Sequence, residues 1–131
     1  MKIKKILELN EKDKDGLYPL LWPIFWNNNE IIKLLIKYAN QHQIILELNG
    51  KDNNGSYPLL RAISKNNIEI VQLLIEYGNQ HQIILELNEK DEHGYYPLLF
   101  AISKNNIEIV KLLLEYALQH QIILEYEKKR Y

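Results

Sequence analysis

Residues 11–16, EKDKDG, place acidic side chains at alternate positions before a glycine, as at the start of a calcium-binding EF-hand loop. Such a loop also needs a bidentate glutamate at its twelfth position to complete the shell of oxygen ligands. Counting from Glu11, the twelfth residue is Trp22, whose indole offers no oxygen. Two later copies of the turn have Arg61 and Phe100 at that position. The sequence therefore predicts a tight turn here and no metal.

Three histidines recur at one spacing and raise a second possibility of a metal site: His42, His81 and His120. Packed helices lie about 8–10 Å apart, whereas two nitrogens bound to one zinc ion lie within about 4 Å of each other. Histidines on successive helices cannot share an ion at that separation. We expect each ring to be partly buried and hydrogen-bonded at the end of a helix, and we expect no cofactor.

Hydrolytic chemistry also lacks a sequence signature. Ser64 and Ser103 end a predicted helix without the flanking glycines of a nucleophile elbow. The recurring glutamates stand at predicted helix starts, where the helix dipole favours a carboxylate; they are Glu30, Glu69 and Glu108. The sequence therefore predicts no enzymatic activity.

Composition limits the class of protein. The 131 residues, 47% hydrophobic and 25% charged, are typical of one folded domain. A net charge of −1 gives no field toward nucleic acid or an anionic membrane. Cysteine is absent, and the start MKIKKILEL is interrupted by Glu8, unlike a signal peptide. We expect an intracellular protein of the cytoplasm, with the nucleus as the other compartment.

The elements that position these residues repeat along the chain. Gly16, Gly55 and Gly94 share one spacing, since 55 − 16 = 39 and 94 − 55 = 39. The sequence therefore divides into a partial N-terminal unit (1–12), unit 1 (13–51), unit 2 (52–90) and unit 3 (91–129). The polar end Glu125–Tyr131 is expected to cap the last unit.

The sequence of each unit predicts a turn, followed by a short helix and then a longer helix. Asp-x-x-Gly makes the turn, because glycine accepts a positive φ. Tyr-Pro then opens the first helix, over residues 58–64 in unit 2, and Asn66–Asn67 ends it. The second helix is expected over 68–82, continuing past Gly78 because the other units have alanine there. Residues 83–87 are expected to be extended or irregular.

Residues 52–78, DNNGSYPLLRAISKNNIEIVQLLIEYG, resemble the ankyrin repeat. The shared pattern is Asp-x-x-Gly-x-x-Pro-Leu followed by Glu-Ile-Val-x-Leu-Leu at fixed spacing. The resemblance implies an all-α fold, an ankyrin-like α-solenoid of stacked helix–turn–helix repeats with short turn or hairpin connections. HEAT repeats, with about 40 residues per unit, are the alternative by period, but they lack the Asp-x-x-Gly turn.

Three departures from the ankyrin pattern change local geometry. The period of 39 exceeds the usual 33 or so, and the extra residues fall around NQHQII, which predicts a longer second helix or a longer loop after it. Tyr57 and Leu60 replace a threonine and a histidine of the pattern. Pro23 replaces an alanine in unit 1, so we expect a distorted first helix there.

The resemblance implies a non-catalytic protein–protein interaction module that binds through its turn tips and the concave face of its first helices. Positions on those surfaces that differ between units are the contact candidates, because stacking does not fix them. They are Lys14, Asp15, Leu17, Trp22, Phe25, Trp26, Asn53, Asn54, Ser56, Arg61, Lys65, Glu92, His93, Tyr95, Phe100 and Lys104. The partner is expected to be another protein, neither nucleic acid nor membrane, and the chain a monomer, with end-to-end self-association as the alternative.

Two questions stay open at this stage. Trp22, Phe25 and Trp26 lie at helical spacing and serve either as binding anchors or as packing against the partial N-terminal unit. The alternative function is a structural spacer within a longer repeat array, without a ligand of its own.

Overall fold

The computed structural model describes residues 7–124, which form three pairs of α-helices. In each pair a short first helix precedes a longer second helix. The helices are α1 (Leu21–Phe25), α2 (Asn29–Gln41), α3 (Pro58–Ser64), α4 (Ile68–His81), α5 (Pro97–Ser103) and α6 (Ile107–Gln119). No strand occurs within residues 7–124, and the predicted all-α repeat architecture is confirmed. The predicted capping segment Glu125–Tyr131 lies outside the described residues. Among residues 7–124, no helix has the length and apolar character needed to cross a membrane.

Local sequence explains where the helices begin and end. In unit 2, Pro58 is the first residue of α3, where its missing N–H costs no hydrogen bond. Asn66 takes the left-handed conformation with φ 55° and ends the turn after α3, as predicted. The side-chain oxygen of Asn67 then accepts a hydrogen bond from the Ile70 N–H at 3.0 Å and caps α4. The equivalent asparagines act in the same way in units 1 and 3.

The first helix of unit 1 is shortened, which confirms the expected distortion. Helix α1 has 5 residues, whereas α3 and α5 have 7. Pro23 has no N–H to bond the carbonyl four residues earlier. The Leu21 N–H instead bonds the Tyr18 carbonyl, a tighter i→i−3 contact of 2.9 Å.

The second helix continues past Gly78 to His81, as predicted. Gln82 follows in the left-handed conformation, with φ 57°. Beyond it the chain enters an irregular linker, which we define as residues 43–51 in unit 1 and 82–90 in unit 2. The NQHQII stretch of unit 2, where we expected the added residues, thus lies partly in the last turn of α4 and partly at the start of the linker.

Hydrogen bonds between the linkers and the following unit hold the stack together. The Leu46 N–H donates to the hydroxyl oxygen of Tyr77 at 2.9 Å. The side-chain amide of Asn49 donates to the Ile84 carbonyl at 2.9 Å and accepts from the Glu86 N–H at 3.0 Å. Leu46 is buried, so its N–H would otherwise lack a partner. Both contacts recur one unit further along the chain.

The turns contact one another along one rim. The Asn53 N–H donates to the Asp15 carbonyl at 3.0 Å, and the Glu92 N–H donates to the Asn54 carbonyl at 2.9 Å. A Cβ added at Gly16 would lie 2.9 Å from the Asp52 Cα, so the turn of unit 1 lies directly against that of unit 2. Adjacent turns are therefore side by side, as the stacked-repeat interpretation requires.

Two buried tyrosines link the first helices to the linkers. The Tyr18 hydroxyl donates to the Gly50 carbonyl at 2.9 Å, and the Tyr57 hydroxyl donates to the Glu89 carbonyl at 2.8 Å. Burial, with a smaller contribution from the charge of Glu47, raises the pKa of Tyr18. Burial likewise raises the pKa of Tyr57. Each tyrosine therefore stays protonated and keeps its hydrogen bond to the linker of its own unit well into the alkaline range.

Candidate functional site

The acidic residues of the turn shape the backbone. In unit 1, Oδ1 of Asp13 accepts hydrogen bonds from the Asp15 N–H at 2.8 Å and the Leu17 N–H at 2.9 Å. Asp52 and Asp91 make the same pair of contacts in units 2 and 3. This is the Asx-turn role of aspartate. Residues 7–124 hold no group of three or more histidine, aspartate or glutamate side chains positioned for a metal ion.

The histidine ladder packs against tyrosine rings at the ends of the second helices. The ring centroids of Tyr77 and His81 are 4.3 Å apart, and the equivalent pairs in units 1 and 3 are 4.2 Å apart. For His120 the expected hydrogen bond at Nε2 is wrong, because this nitrogen is buried without a partner. His42, moreover, is exposed rather than partly buried. Ring packing within residues 7–124 therefore accounts for the ladder.

Two hollows lie along the face formed by the turns and the first helices. The first hollow, between units 1 and 2, has a volume of about 310 Å³. It is lined by Asp15, Leu17, Leu21, Trp22, Phe25, Asp52, Asn53, Asn54 and Arg61. The second hollow, between units 2 and 3, has a volume of about 240 Å³. It is lined by Asn54, Ser56, Arg61, Ser64, Asp91, Glu92, His93, Tyr95 and Phe100.

Arg61 lies between the hollows and lines both. Its Nη2 is 3.1 Å from Oδ2 of Asp52, whose side chain is only 4% exposed. The guanidinium carbon also lies 5.2 Å from the centroid of the Phe25 ring. A charge partner and an aromatic face thus hold the arginine in place.

Aromatic side chains dominate the unit 1 side of the first hollow. Trp22, Phe25 and Trp26 are 43%, 38% and 67% exposed. The ring of Trp26 meets that of Phe25 edge to face at a centroid distance of 5.1 Å. The ammonium group of Lys65 lies 4.7 Å from the Phe25 centroid, on the side of unit 2. We call Trp22, Phe25 and Trp26 the aromatic cluster. The contacts of Phe25 with Arg61 and Lys65 place the cluster at the junction of units 1 and 2.

The aromatic residues of unit 3 that line the second hollow pack against each other. Tyr95 and Phe100 stack with centroids 4.4 Å apart and an interplanar angle of 14°. Lys104 lies 5.8 Å from the Phe100 centroid. Nε2 of His93 is 3.2 Å from the Glu92 carboxylate. The second hollow consequently presents a more polar lining, in which the aromatic faces already have partners.

The structure gathers most of the predicted contact residues around these hollows. Lys14, Trp26, Lys65 and Lys104 line neither hollow, and Ser56 is only 8% exposed. The prediction missed four lining residues: Leu21, Asp52, Ser64 and Asp91. Leu21, Asp52 and Asp91 were missed because variation between units guided the choice, and their positions carry the same residue in each unit. Ser64 was missed although its position varies, with Phe25 in unit 1.

The comparison with protein families agrees with this architecture. A family profile described as ankyrin repeats, in three copies, matches residues 2–83 and 40–124. The chain belongs to the ankyrin-repeat family. Ankyrin repeats are generally protein–protein interaction modules, and the family is typically non-enzymatic. None of the curated proteins compared with the chain matches it significantly.

Proposed function

We propose that this chain is a non-catalytic module that binds a partner protein through its turn tips and the concave face of its first helices. The observation that carries the proposal is the first hollow, an open apolar depression bordered by exposed aromatic side chains. Large aromatic side chains are favoured as anchors in protein interfaces, because they bury much area with few rotatable bonds. A nearly neutral chain without cysteine suits the cytoplasm, where we propose that the module acts.

The difference in exposure between residues of unit 1 supports a binding role for the aromatic cluster. Tyr18 and Leu21 are 1% and 2% exposed and belong to the hydrophobic core. Trp22 and Trp26 lie on the same unit but remain 43% and 67% exposed. Stacking therefore leaves much of their surface unburied. A contiguous exposed apolar surface of this kind is typical of an interaction site.

A structural spacer is the second candidate, and the outer face of unit 3 favours it. Ile102 is 58% exposed, although its equivalent Ile63 is fully buried by unit 3. Leu99 is 38% exposed, and its equivalent Leu60 is 1% exposed. This face has the apolar character of a surface on which another repeat unit packs. Light scattering separates the alternatives, since a self-contained module stays monomeric whereas a spacer associates through this face.

A selection experiment tests the binding proposal. A random peptide library displayed on phage is selected against the whole chain, and enriched peptides are synthesised for fluorescence polarisation. Phe25→Ser combined with Trp26→Ser removes most of the aromatic cluster, and serine already occurs at the position equivalent to 25 in the other units. Ile84→Ser is the matched control, because Ile84 is an apolar linker residue that lines neither hollow, and its exposure of 50% lies between those of Phe25 and Trp26.

The expected result is a loss of peptide affinity of about tenfold or more in the double variant and no change in the control. Melting temperatures of both variants should match the parent chain, and Trp26→Ser alone supplies a milder variant. Peptides that bind the double variant as tightly as the parent would contradict the proposal. A large fall in the melting temperature of Trp26→Ser would assign the ring to packing instead.

A further inference from the structure

The first hollow has the form of a pocket for one bulky side chain. Four apolar residues line it: Leu17, Leu21, Trp22 and Phe25. Leu21 is buried, whereas the two aromatic side chains are exposed. An aromatic or large aliphatic side chain of a partner would bury apolar surface against all four residues.

The polar edge of this hollow is largely occupied by contacts within the protein. The Asn53 N–H and side-chain amide both bond the neighbouring turn, at 3.0 Å to the Asp15 carbonyl and 2.9 Å to the Lys14 carbonyl. Arg61 is paired with Asp52. The hollow itself therefore offers mainly apolar recognition, and charge recognition must come from its surroundings.

We call the face that holds the two hollows the groove. Two lysines beside it carry charge that no carboxylate of residues 7–124 neutralises. Lys65 and Lys104 occupy equivalent positions at the ends of α3 and α5, where unit 1 has Trp26. In residues 7–124, neither lysine has a carboxylate within salt-bridge distance, and each lies near an aromatic ring instead. Lys33 on α2, by contrast, lies 3.4 Å from Glu30 and 3.0 Å from Glu69. Lys37 on the same helix has no carboxylate of residues 7–124 within salt-bridge distance, so the position of Lys65 and Lys104 beside the aromatic rings is what distinguishes them.

The turn tips carry charge of both signs. Lys14 and Asp15 are both exposed at the tip of unit 1, and Glu92 is exposed beside His93 at the tip of unit 3. The rim of the groove thus carries carboxylates, whereas the ends of the first helices of units 2 and 3 carry lysines. An acidic ligand would be repelled by these carboxylates and drawn toward the lysines of the first helices.

We infer that the groove binds an acidic protein segment, with one bulky apolar side chain in the first hollow and carboxylates placed against Lys65 and Lys104. The juxtaposition of the aromatic cluster with the two unneutralised lysines carries this inference, which rests on the proposed function. Because Trp26, Lys65 and Lys104 follow one another from unit 1 to unit 3, the apolar residue lies at the unit 1 end of the segment. The carboxylates lie toward unit 3.

The unbiased peptide selection tests this ligand class. Enriched peptides are expected to combine a large apolar residue with aspartate or glutamate on one side of it. Replacing those acids by their amides, or the apolar residue by alanine, should each weaken binding measured by fluorescence polarisation. Affinity should also fall with added salt, as expected for partly exposed charge pairs.

Lysine variants of the chain test whether Lys65 and Lys104 contribute to the affinity for acidic peptides. Lys65→Gln combined with Lys104→Gln is expected to lower the affinity for acidic peptides about three- to tenfold and to flatten the salt dependence. Lys37→Gln is the matched control: Lys37 is an exposed lysine of α2 that lines neither hollow, and its loss should leave affinity unchanged. Circular dichroism melting verifies that all the variants fold alike.

The outcomes separate the two proposals. Selected peptides that are basic or uncharged, yet lose affinity with Phe25→Ser and Trp26→Ser, overturn the inference and leave the binding groove standing. Acidic peptides whose affinity is the same for the double lysine variant and the parent also overturn it. Recovery of peptides that bind independently of the aromatic cluster, or of none at all, contradicts both the inference and the proposed function.

Discussion

The two hollows share one backbone frame and differ in their chemistry. At each junction a turn bonds the next turn and a second-helix tyrosine accepts from a linker N–H of the preceding unit, and within units 1 and 2 a buried tyrosine hydroxyl bonds a carbonyl of the unit's own linker. The first hollow nevertheless presents exposed tryptophan and phenylalanine, whereas in the second Tyr95 and Phe100 stack on each other. The comparison teaches that stacking fixes the frame and leaves the groove lining free to vary. We therefore expect ligand binding to be concentrated at the first hollow.

The largest expected effect on stability comes from replacing a turn glycine. Gly16 and Gly94 stand in the first and last turns, and of the two only Gly16 is packed against a following turn. At Gly16, φ is 79° and an added Cβ would lie 2.9 Å from the Asp52 Cα. At Gly94, φ is 83° but an added Cβ would meet no atom within 4 Å. Gly16→Ala should therefore lower the free energy of unfolding by about 3 kcal/mol, through left-handed strain plus steric overlap.

Gly94→Ala should cost only the strain, about 1 kcal/mol. Urea denaturation measures both, with the slope against urea checked for constancy. Equal losses in the two variants would show that the turns of units 1 and 2 are not packed as described.

The buried tyrosines of units 1 and 2 predict a loss of stability at alkaline pH. The pKa of Tyr18 and Tyr57 is raised in the folded chain, so their contribution is complete below the unfolded value of about 10 and is lost as pH rises above it. The free energy of unfolding should fall by about 1.4 kcal/mol per pH unit for each of these tyrosines. Urea denaturation from about pH 9 to about pH 11 measures the slope.

Tyr57→Phe is the control for that slope. It removes the hydroxyl that bonds the Glu89 carbonyl and should reduce the pH dependence by one tyrosine's share. A slope identical to that of the parent would mean that Tyr57 ionises equally in the folded and unfolded chains.

Removing a linker side-chain amide tests whether peptide binding in the groove is independent of the hydrogen bonds between linkers. Asn49→Ala removes two hydrogen bonds between linkers, to the Ile84 carbonyl and from the Glu86 N–H. At about 1 kcal/mol for each bond, the loss in stability should be about 2 kcal/mol, with peptide affinity at the first hollow unchanged. Asn79→Leu is the control, since Asn79 is exposed and unit 3 has Leu118 there; its effect should stay within about 0.5 kcal/mol. A parallel loss of affinity in Asn49→Ala would show that the groove depends on the linkers.

The sequence predicted the frame well because the frame depends on local rules repeated three times. Proline at the helix start and asparagine at the turn each have one dominant conformational role, so the bounds of α3 match the expected 58–64. The pairing of Asn49 with the next linker was not predicted. Nothing local specifies which backbone groups a side chain meets across a unit boundary.

The groove was predicted only in part, for a related reason. Differences between units found Trp22, Phe25 and Arg61, which line the first hollow. They could not find Leu21 or Asp52, because these residues serve stacking or turn geometry while also facing the hollow. The hydrogen bond expected at Nε2 of His120 was wrong; the ring of Tyr116, four residues earlier on the helix, packs against this histidine at a centroid distance of 4.2 Å.

The fluorescence of the two tryptophans tests the central claim most directly, because both Trp22 and Trp26 belong to the aromatic cluster. A selected peptide without tryptophan is titrated into the unmodified chain while the emission spectrum is recorded. We predict a saturable shift of the emission to shorter wavelength, with the same midpoint as fluorescence polarisation of the labelled peptide. Saturable peptide binding that leaves the tryptophan emission unchanged would contradict the account.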